Sequence, residues 1–366
     1  MKFEITRENL LSGLQKIIGV IERRQTLPVL SNVLLQIKGK QLTLTGTDLE
    51  IQLVATTLLV EESGGEITIP ARKLLDICKL LPEGKTMYFE FSDGKIKLSS
   101  GRSRFTLSTL PAADFPAFDS SECETELSIS SSKLKKTIDK TGFCMAQQDV
   151  RYYLNGLMIE SDGSLLRAVS SDGHRLALHE EKLDNEQDEF KQIILPRKGV
   201  VELFRLLEDS DDEVKIQLSS NSIRLVLGDL VFSAKLIDGR FPDYKRVFPD
   251  VENKTIILDK QEIKLALSRV AILSNEKYKG IRLDISENCL KLEAHNPEHE
   301  EADEMIEIQY DEEPVVIGFN GSYMLDAISN VDTENVKISF SDTNSSCLIE
   351  NIDDSSTKFI VMPMRL

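Results

Sequence analysis

No run of apolar residues in these 366 positions approaches the roughly 18 that a membrane-spanning helix needs. With 41% hydrophobic and 29% charged residues, the composition is that of a soluble globular chain. Cysteine is scarce and dispersed: Cys78, Cys123, Cys144, Cys289 and Cys347 form no C-x-x-C pair, the pattern expected of reduced thiols in a cytoplasmic protein. Met1-Lys2-Phe3 enters an apolar strand at once and leaves no room for a signal sequence. The phosphate-binding G-x-x-x-x-G-K-[ST], the dinucleotide G-x-G-x-x-G and the nucleophile-bearing G-x-S-x-G are all missing. Four histidines leave little for acid–base chemistry. His174 beside Asp172 could be imagined as a general base, but no nucleophile accompanies it, and a turn leading into a strand is the more economical account.

What the chain does have is repetition. A four-part unit can be laid on it three times, with a period of roughly 125 residues, the size of a domain. The first part is a short strand, a polar break and an amphipathic helix: Phe3 to Ile5 before Glu8 to Ile21, Leu127 to Ile129 before Lys133 to Phe143, and Ile256 to Leu258 before Gln261 to Leu273. Thr6, Ser130 and Asp259 stand at the expected N-caps. The second part is an alternating strand pair within Leu30 to Ala55, Tyr153 to His179 and Ile281 to Ile308. Strand then helix recurs in Ile67 to Leu81, Ile193 to Leu207 and Val315 to Val331, where Pro70 and Pro196 open their helices. An antiparallel pair closes each copy, in Met87 to Leu107, Val214 to Ala234 and Val336 to Met362. Polar, breaker-rich stretches from Asp114 to Glu126 and from Pro242 to Lys254 read as linkers, giving expected domains 1–125, 126–252 and 253–366 of an α+β fold.

A net charge of −17 would ordinarily argue against a nucleic-acid partner. The six helical segments nevertheless carry 17 basic and 8 acidic residues, and only the last, with Asp326 alone, is not positive. Lys and Arg on any single helix can simply solvate an exposed face. Five positive helices in an acidic chain would repel polyanions except where those helices face them.

One motif invites a catalytic reading. His295-Asn296-Pro297-Glu298-His299 spells H-x-x-E-H, which binds zinc only if a helix brings both imidazoles to one face. Pro297 opposes a helix, and the repeat places this segment at a turn, opposite Gly46-Thr47-Asp48 and Ser171-Asp172-Gly173.

Several longer motifs carry a resemblance: Ser100-Gly101-Arg102-Ser103-Arg104-Phe105, Leu110 to Pro116, Gln148 to Gly156, Asp172-Gly173-His174-Arg175-Leu176, Asp238 to Tyr244 and the terminal Val361 to Leu366. In this order, across all three copies, the chain resembles the beta sliding clamps of bacterial DNA polymerase III. The resemblance implies three tandem clamp domains, each with two helices and two antiparallel sheets, and a head-to-tail homodimer ring with helices lining the hole. Twelve helices spaced about 8 to 10 Å apart put their axes on a circle roughly 30 to 38 Å across. After one helix diameter of about 10 Å is subtracted, the opening still admits a duplex. The implied function is a non-catalytic processivity factor, without metal or cofactor, that encircles duplex DNA in any sequence. Its implied partners are the clamp loader, the replicative polymerase alpha subunit and other polymerases or repair proteins bearing short clamp-binding peptides. A repeat scaffold without DNA encirclement is the alternative.

The same resemblance assigns residues. Arg24, Arg72, Gln148, Tyr152 and Tyr153 would contact DNA, although the two tyrosines could equally be core or strand-edge packing. Lys73, Arg102, Arg104, Phe105 and Leu107 of the first copy would meet Ile272, Leu273, Glu298, Glu300, Glu301 and Glu304 of another chain's third copy. Exposed ion pairs typically contribute less than about 1 kcal/mol, so the apolar pairs would carry that interface, unless they serve their own domain cores. A partner-peptide pocket would be built from Leu154, Ser171, Gly173, His174, Arg175, Leu176, Pro242, Arg246, Val247, Ser346, Ile360, Val361, Met362 and Met364. Its Leu, Val and Met walls suit a Leu or Phe anchor. Ser171 and Ile360 stand where many relatives carry Thr and Val.

Overall fold

The computed structural model describes residues 1–21, 27–118, 123–184, 189–249 and 254–365. The first copy runs β1 (Lys2–Thr6), α1 (Arg7–Ile17), β2 (Asn32–Thr47), β3 (Ile51–Pro70), α2 (Ala71–Leu80), β4 (Thr86–Ser92), β5 (Lys95–Ser100) and β6 (Ser103–Ser108). The second runs β7 (Thr125–Ser130), α3 (Ser131–Gly142), β8 (Gly156–Ser161), β9 (Leu165–Ser171), β10 (Arg175–Lys182), β11 (Phe190–Pro196), α4 (Arg197–Leu206), β12 (Glu213–Leu218), β13 (Ser222–Leu227) and β14 (Leu230–Lys235). The third runs β15 (Thr255–Asp259), α5 (Lys260–Val270), β16 (Gly280–Ser286), β17 (Cys289–His295), β18 (Glu301–Glu307), β19 (Val315–Asn320), α6 (Gly321–Ser329), β20 (Asn335–Ser339), β21 (Cys347–Glu350) and β22 (Thr357–Val361).

The helices form where apolar residues recur on one face. Leu10, Gly13, Leu14 and Ile17 are the buried stripe of α1, and Ile263, Ala266, Leu267 and Val270 repeat that spacing on α5. Thr6 accepts the N–H of Asn9 and Asp259 accepts that of Glu262, so two of the expected caps do satisfy otherwise orphaned donors. Pro70 and Pro196 are instead the last residues of β3 and β11, one place before their helices. Pro70 occupies the N-cap, where its missing N–H breaks no helical bond.

The closing part of each copy is three strands rather than two, because short turns such as Asp93-Gly94 and Gly101-Arg102, each with a positive-φ residue, add a further hairpin. The second part is a long two-stranded hairpin in the first copy, with a register shift between Gly39 and Gln41, and three strands in the other two.

Strand pairing ignores the copy boundaries. The chain forms two compact bodies, Met1–Leu134 with Lys198–Leu236, and Lys135–Arg197 with Ile237–Leu366. The first body holds a sheet in the order β1-β4-β5-β6 and another in the order β2-β3-β14-β13-β12-β7. In the second body the orders are β11-β8-β9-β10-β22-β21-β20-β15 and β18-β17-β16-β19. The larger sheet of each body is therefore stitched from two neighbouring copies, by β3 with β14 in one and β10 with β22 in the other. Among the described residues, no helix is long and apolar enough to cross a membrane.

Candidate functional site

The expected pocket residues converge in the second body around the turn from β9 to β10. Asp172 Oδ1 accepts the N–H groups of His174 (2.9 Å) and Arg175 (3.0 Å). Ser171 Oγ accepts that of Gly173 (3.0 Å) and donates to the Arg175 carbonyl (2.8 Å). Short polar side chains that bond their own backbone in this way make a turn without help from the rest of the fold. Gly173 sits at φ +86°, and a Cβ there would fall 2.7 Å from the Arg151 guanidinium.

Beyond the turn, β10 pairs with β22 so that Leu176 faces Ile360. Both join Leu154, Leu178, Leu348, Phe241 and Tyr244 in one buried apolar cluster, with Val247 and Met362 half-buried against it. Ser346 Oγ donates to the Val247 carbonyl (2.6 Å), and the Met362 N–H donates to the His174 carbonyl (2.9 Å). The Met364 N–H continues the tail by bonding the Gly318 carbonyl (2.8 Å). Pro242 and Arg246 are exposed, with Arg246 held by Asp243 at 2.9 Å. Tyr244 is buried in the same cluster: its hydroxyl donates to Glu160 (2.8 Å), and burial together with that carboxylate pushes its pKa well up. The result is a buried apolar cluster edged by half-buried Val247 and Met362, the chemistry that suits a Leu or Phe neighbour, with a methionine that can repack.

Strand alternation sends two of the expected pocket residues to the opposite face. Arg175 pairs with Val361, and Val361 is buried in a separate cluster with Ala177, Ile349 and Phe359. The Arg175 guanidinium lies 4.5 Å from the Tyr323 ring centre and bonds Asp172 (3.1 Å), Asp326 (2.5 Å) and the Phe143 carbonyl (3.2 Å). Arg175 therefore fixes the back of the turn, while exposed His174 lies beside it with its ring 6.3 Å from that of Tyr323. Sequence reasoning missed Phe241, Tyr244, Leu178 and Leu348. The i+2 spacing of Leu178 from Leu176 was the available signal for one of them.

The residues expected at DNA are spread over both bodies. Arg24 lies outside the described residues. Arg72 is half-buried, with Nη2 donating to the Ile21 carbonyl (2.7 Å). Gln148, at φ +55°, and Tyr152, 57% exposed, flank an Asp149–Arg151 pair. Tyr152 packs edge-on against Tyr153, which is itself half-buried against the apolar cluster around Leu176 and Ile360. The Arg151 hydrogen bonds hold the Asp149 carboxyl at about 2, below its ordinary range.

The residues expected between chains fall on the edge strands β6 and β18 and around them: Lys73 is on α2, Arg102 precedes β6, Ile272 and Leu273 follow α5, and Glu298 and Glu300 precede β18. On β6, Arg102's neighbour turn leads to exposed Arg104 and half-buried Phe105, but Leu107 is 9% exposed and belongs to the sheet's own core. Lys73 and Arg102 are exposed. In the third copy Ile272 is 76% exposed and Leu273 half-buried, with Met305, 66% exposed, on β18. Glu298, Glu300 and Glu301 are exposed, whereas Glu304 is engaged by Arg269 (Nε to Oε2, 2.9 Å), which lowers its pKa. The His295 to His299 segment is the turn between β17 and β18: Asn296 and Glu300 bond across it (3.1 Å), and His299 takes φ +64°. Its two imidazoles therefore do not share a helical face.

The N-terminal, central and C-terminal domain models of the DNA polymerase III beta subunit match residues 1–119, 128–243 and 245–365 in turn. The chain is 51% identical to a beta sliding clamp of Pseudomonas aeruginosa and 47% identical to one of Escherichia coli K12, covering 100% of both proteins in each comparison. A crystal structure of the P. aeruginosa DNA polymerase sliding clamp with ligand superimposes with a TM-score of 0.96 at 50% identity, and one bound to griselimycin with 0.95 at 51%. Caulobacter crescentus pol III beta superimposes with a TM-score of 0.95 at 36% identity. Each of these three structures covers, and is covered by, 100% of the chain.

Proposed function

The chain belongs to the DNA polymerase III beta subunit family, and from that premise we propose that it is a sliding clamp: two copies close head to tail around duplex DNA and tether the replicative polymerase to it. The observation that carries this reading is the full-length match to sliding clamps in both sequence and fold. The clamp acts by topology and catalyses nothing. Basic helices meet phosphates in any register, which positions the ring without reading sequence. The domains are taken as 1–125, 126–252 and 253–366, and the protein works in the cytoplasm.

The DNA-facing set is Arg24, Arg72, Gln148, Tyr152 and Tyr153. Arg72, already bonded to a backbone carbonyl, offers only its remaining N–H groups. The apolar floor around Leu154, Leu176 and Ile360 receives the anchor residue of a clamp-binding peptide, through which the polymerase alpha subunit, the loader and other DNA-processing proteins take turns. The first-copy edge β6 meets the third-copy edge β18 of a second chain, where acidic Glu298, Glu300 and Glu301 suit basic Lys73, Arg102 and Arg104.

Loading onto nicked circular DNA with clamp loader and ATP tests the function. The protein should stay with the circle through gel filtration and be lost once the circle is linearised. Equal retention before and after cutting, or none on the circle, would sink the proposal.

A further inference from the structure

The first body repeats the frame of the peptide pocket but lines it with different chemistry. Between β2 and β3, Asp48 Oδ1 accepts the N–H groups of Glu50 (2.9 Å) and Ile51 (2.7 Å). Thr47 Oγ1 accepts that of Leu49 (3.1 Å) and donates to the Ile51 carbonyl (2.8 Å). These are the four bonds made by Asp172 and Ser171. Leu49, at φ +80°, stands where Gly173 stands at +86°. The Lys235 N–H donates to the Glu50 carbonyl (2.9 Å), as Met362 does to His174.

From this shared frame the two sheets can be compared position by position. In the second body, Leu176 on β10, Ile360 on β22 and Leu348 on β21 lie in one row across three strands. The corresponding row in the first body is Gln52 on β3, Ser233 on β14 and Arg224 on β13. That polar row lines a cavity of about 410 Å³, with Val54 and Val231 beside it and Phe118 and Cys123 at its margin. Arg224 is exposed and donates to Gln217 Oε1 (3.1 Å); among the described residues it has no ion pair and is the one charged side chain lining the cavity.

We infer that this cavity is a second peptide site, specific for an extended segment carrying a carboxylate, which Arg224 receives while Gln52 and Ser233 supply hydrogen bonds. A guanidinium with free N–H groups favours a carboxylate through charge-assisted bonds that a neutral amide cannot match. An apolar anchor of the kind proposed for the second body would instead strip water from Gln52 and Arg224 without compensation. The inference rests on the second-body groove being a peptide site, since that is what gives the shared frame its meaning.

Cys123 is exposed at the cavity margin and serves as a reporter. The full-length protein is treated with pyridyl-disulfide derivatives of the tripeptides Asp-Ser-Asp and Asn-Ser-Asn, and labelling at Cys123 is followed by peptide mapping. The Asp peptide should label faster by about tenfold, the worth of one charge-assisted hydrogen bond, with a rate that saturates. In Arg224→Gln the ratio of the two rates should fall to near one, and Arg224→Lys should restore part of it. A ratio near one in the unaltered protein, a rate linear in probe concentration, or a preference that survives Arg224→Gln would overturn the site. The readout does not depend on the other groove: an apolar clamp-binding peptide that fails to bind in fluorescence polarisation removes the second-body reading and leaves the Cys123 ratio to stand or fall by itself.

Discussion

Asp162 shows how much a single side chain organises in this fold. It turns β8 into β9 by accepting from the Ser164 hydroxyl (2.9 Å) and the N–H groups of Ser164 (3.1 Å) and Leu165 (2.9 Å), and it bonds Arg167 Nη2 at 2.8 Å. The Ser164 hydroxyl and the Leu165 N–H lead in drawing its pKa down from 3.8 to about 2. A carboxylate with a depressed folded-state pKa adds stability above its unfolded value, and that stability is lost as pH falls through the folded one. Asp162→Asn should therefore be less stable than the unaltered protein at pH 7, and the gap in urea midpoint should close between pH 4 and pH 2. A gap that is constant across that range would refute the assignment. Residues of this type were legible in the sequence, because Asx turns and caps such as Thr6 and Asp259 act within three positions. Arg175 was not: its partner Asp326 is 151 residues away, and nothing local announces the pair.

At the scale of elements, alternation and helical spacing were enough to locate the six α-helices of the described residues and the strands that lead into them. They undercounted the strands, since a two-residue turn between equally apolar segments leaves the pattern almost unbroken. They also could not assign faces. Val361 and Met362 are adjacent and both apolar, yet one is sealed in a separate core and the other lies half-buried against the cluster around Leu176 and Ile360. The tail after β22 is tied to His174 and Gly318 through the Met362 and Met364 N–H bonds. Deleting residues 363–366 should weaken binding of a labelled polymerase peptide by about tenfold, the order of one lost apolar anchor contact, and leave the dimer intact. Unchanged affinity by fluorescence polarisation would refute the tail's part in the pocket.

For the whole molecule, the threefold repeat was plain in the sequence, but the two bodies that cut across it were not. β14 has no local mark that sends it to β3 rather than to a strand of its own copy, and the choice is made by packing. The proposed dimer would draw its affinity from the apolar surface at exposed Ile272 and half-buried Leu273, since the exposed charges around it are worth little individually. Ile272→Ala combined with Leu273→Ala should give a folded monomer, with unchanged circular dichroism and half the dimer mass in sedimentation. A dimeric mass would remove these residues from the interface. The stitched sheets also set a clock on synthesis. Residues 51–55 of β3 find their partners at 230–234, roughly 180 residues later. At ribosomal rates of about 5 to 20 residues per second, that strand edge waits on the order of 10 to 35 s unpaired, so a nascent chain needs its edge shielded through about half of its own translation.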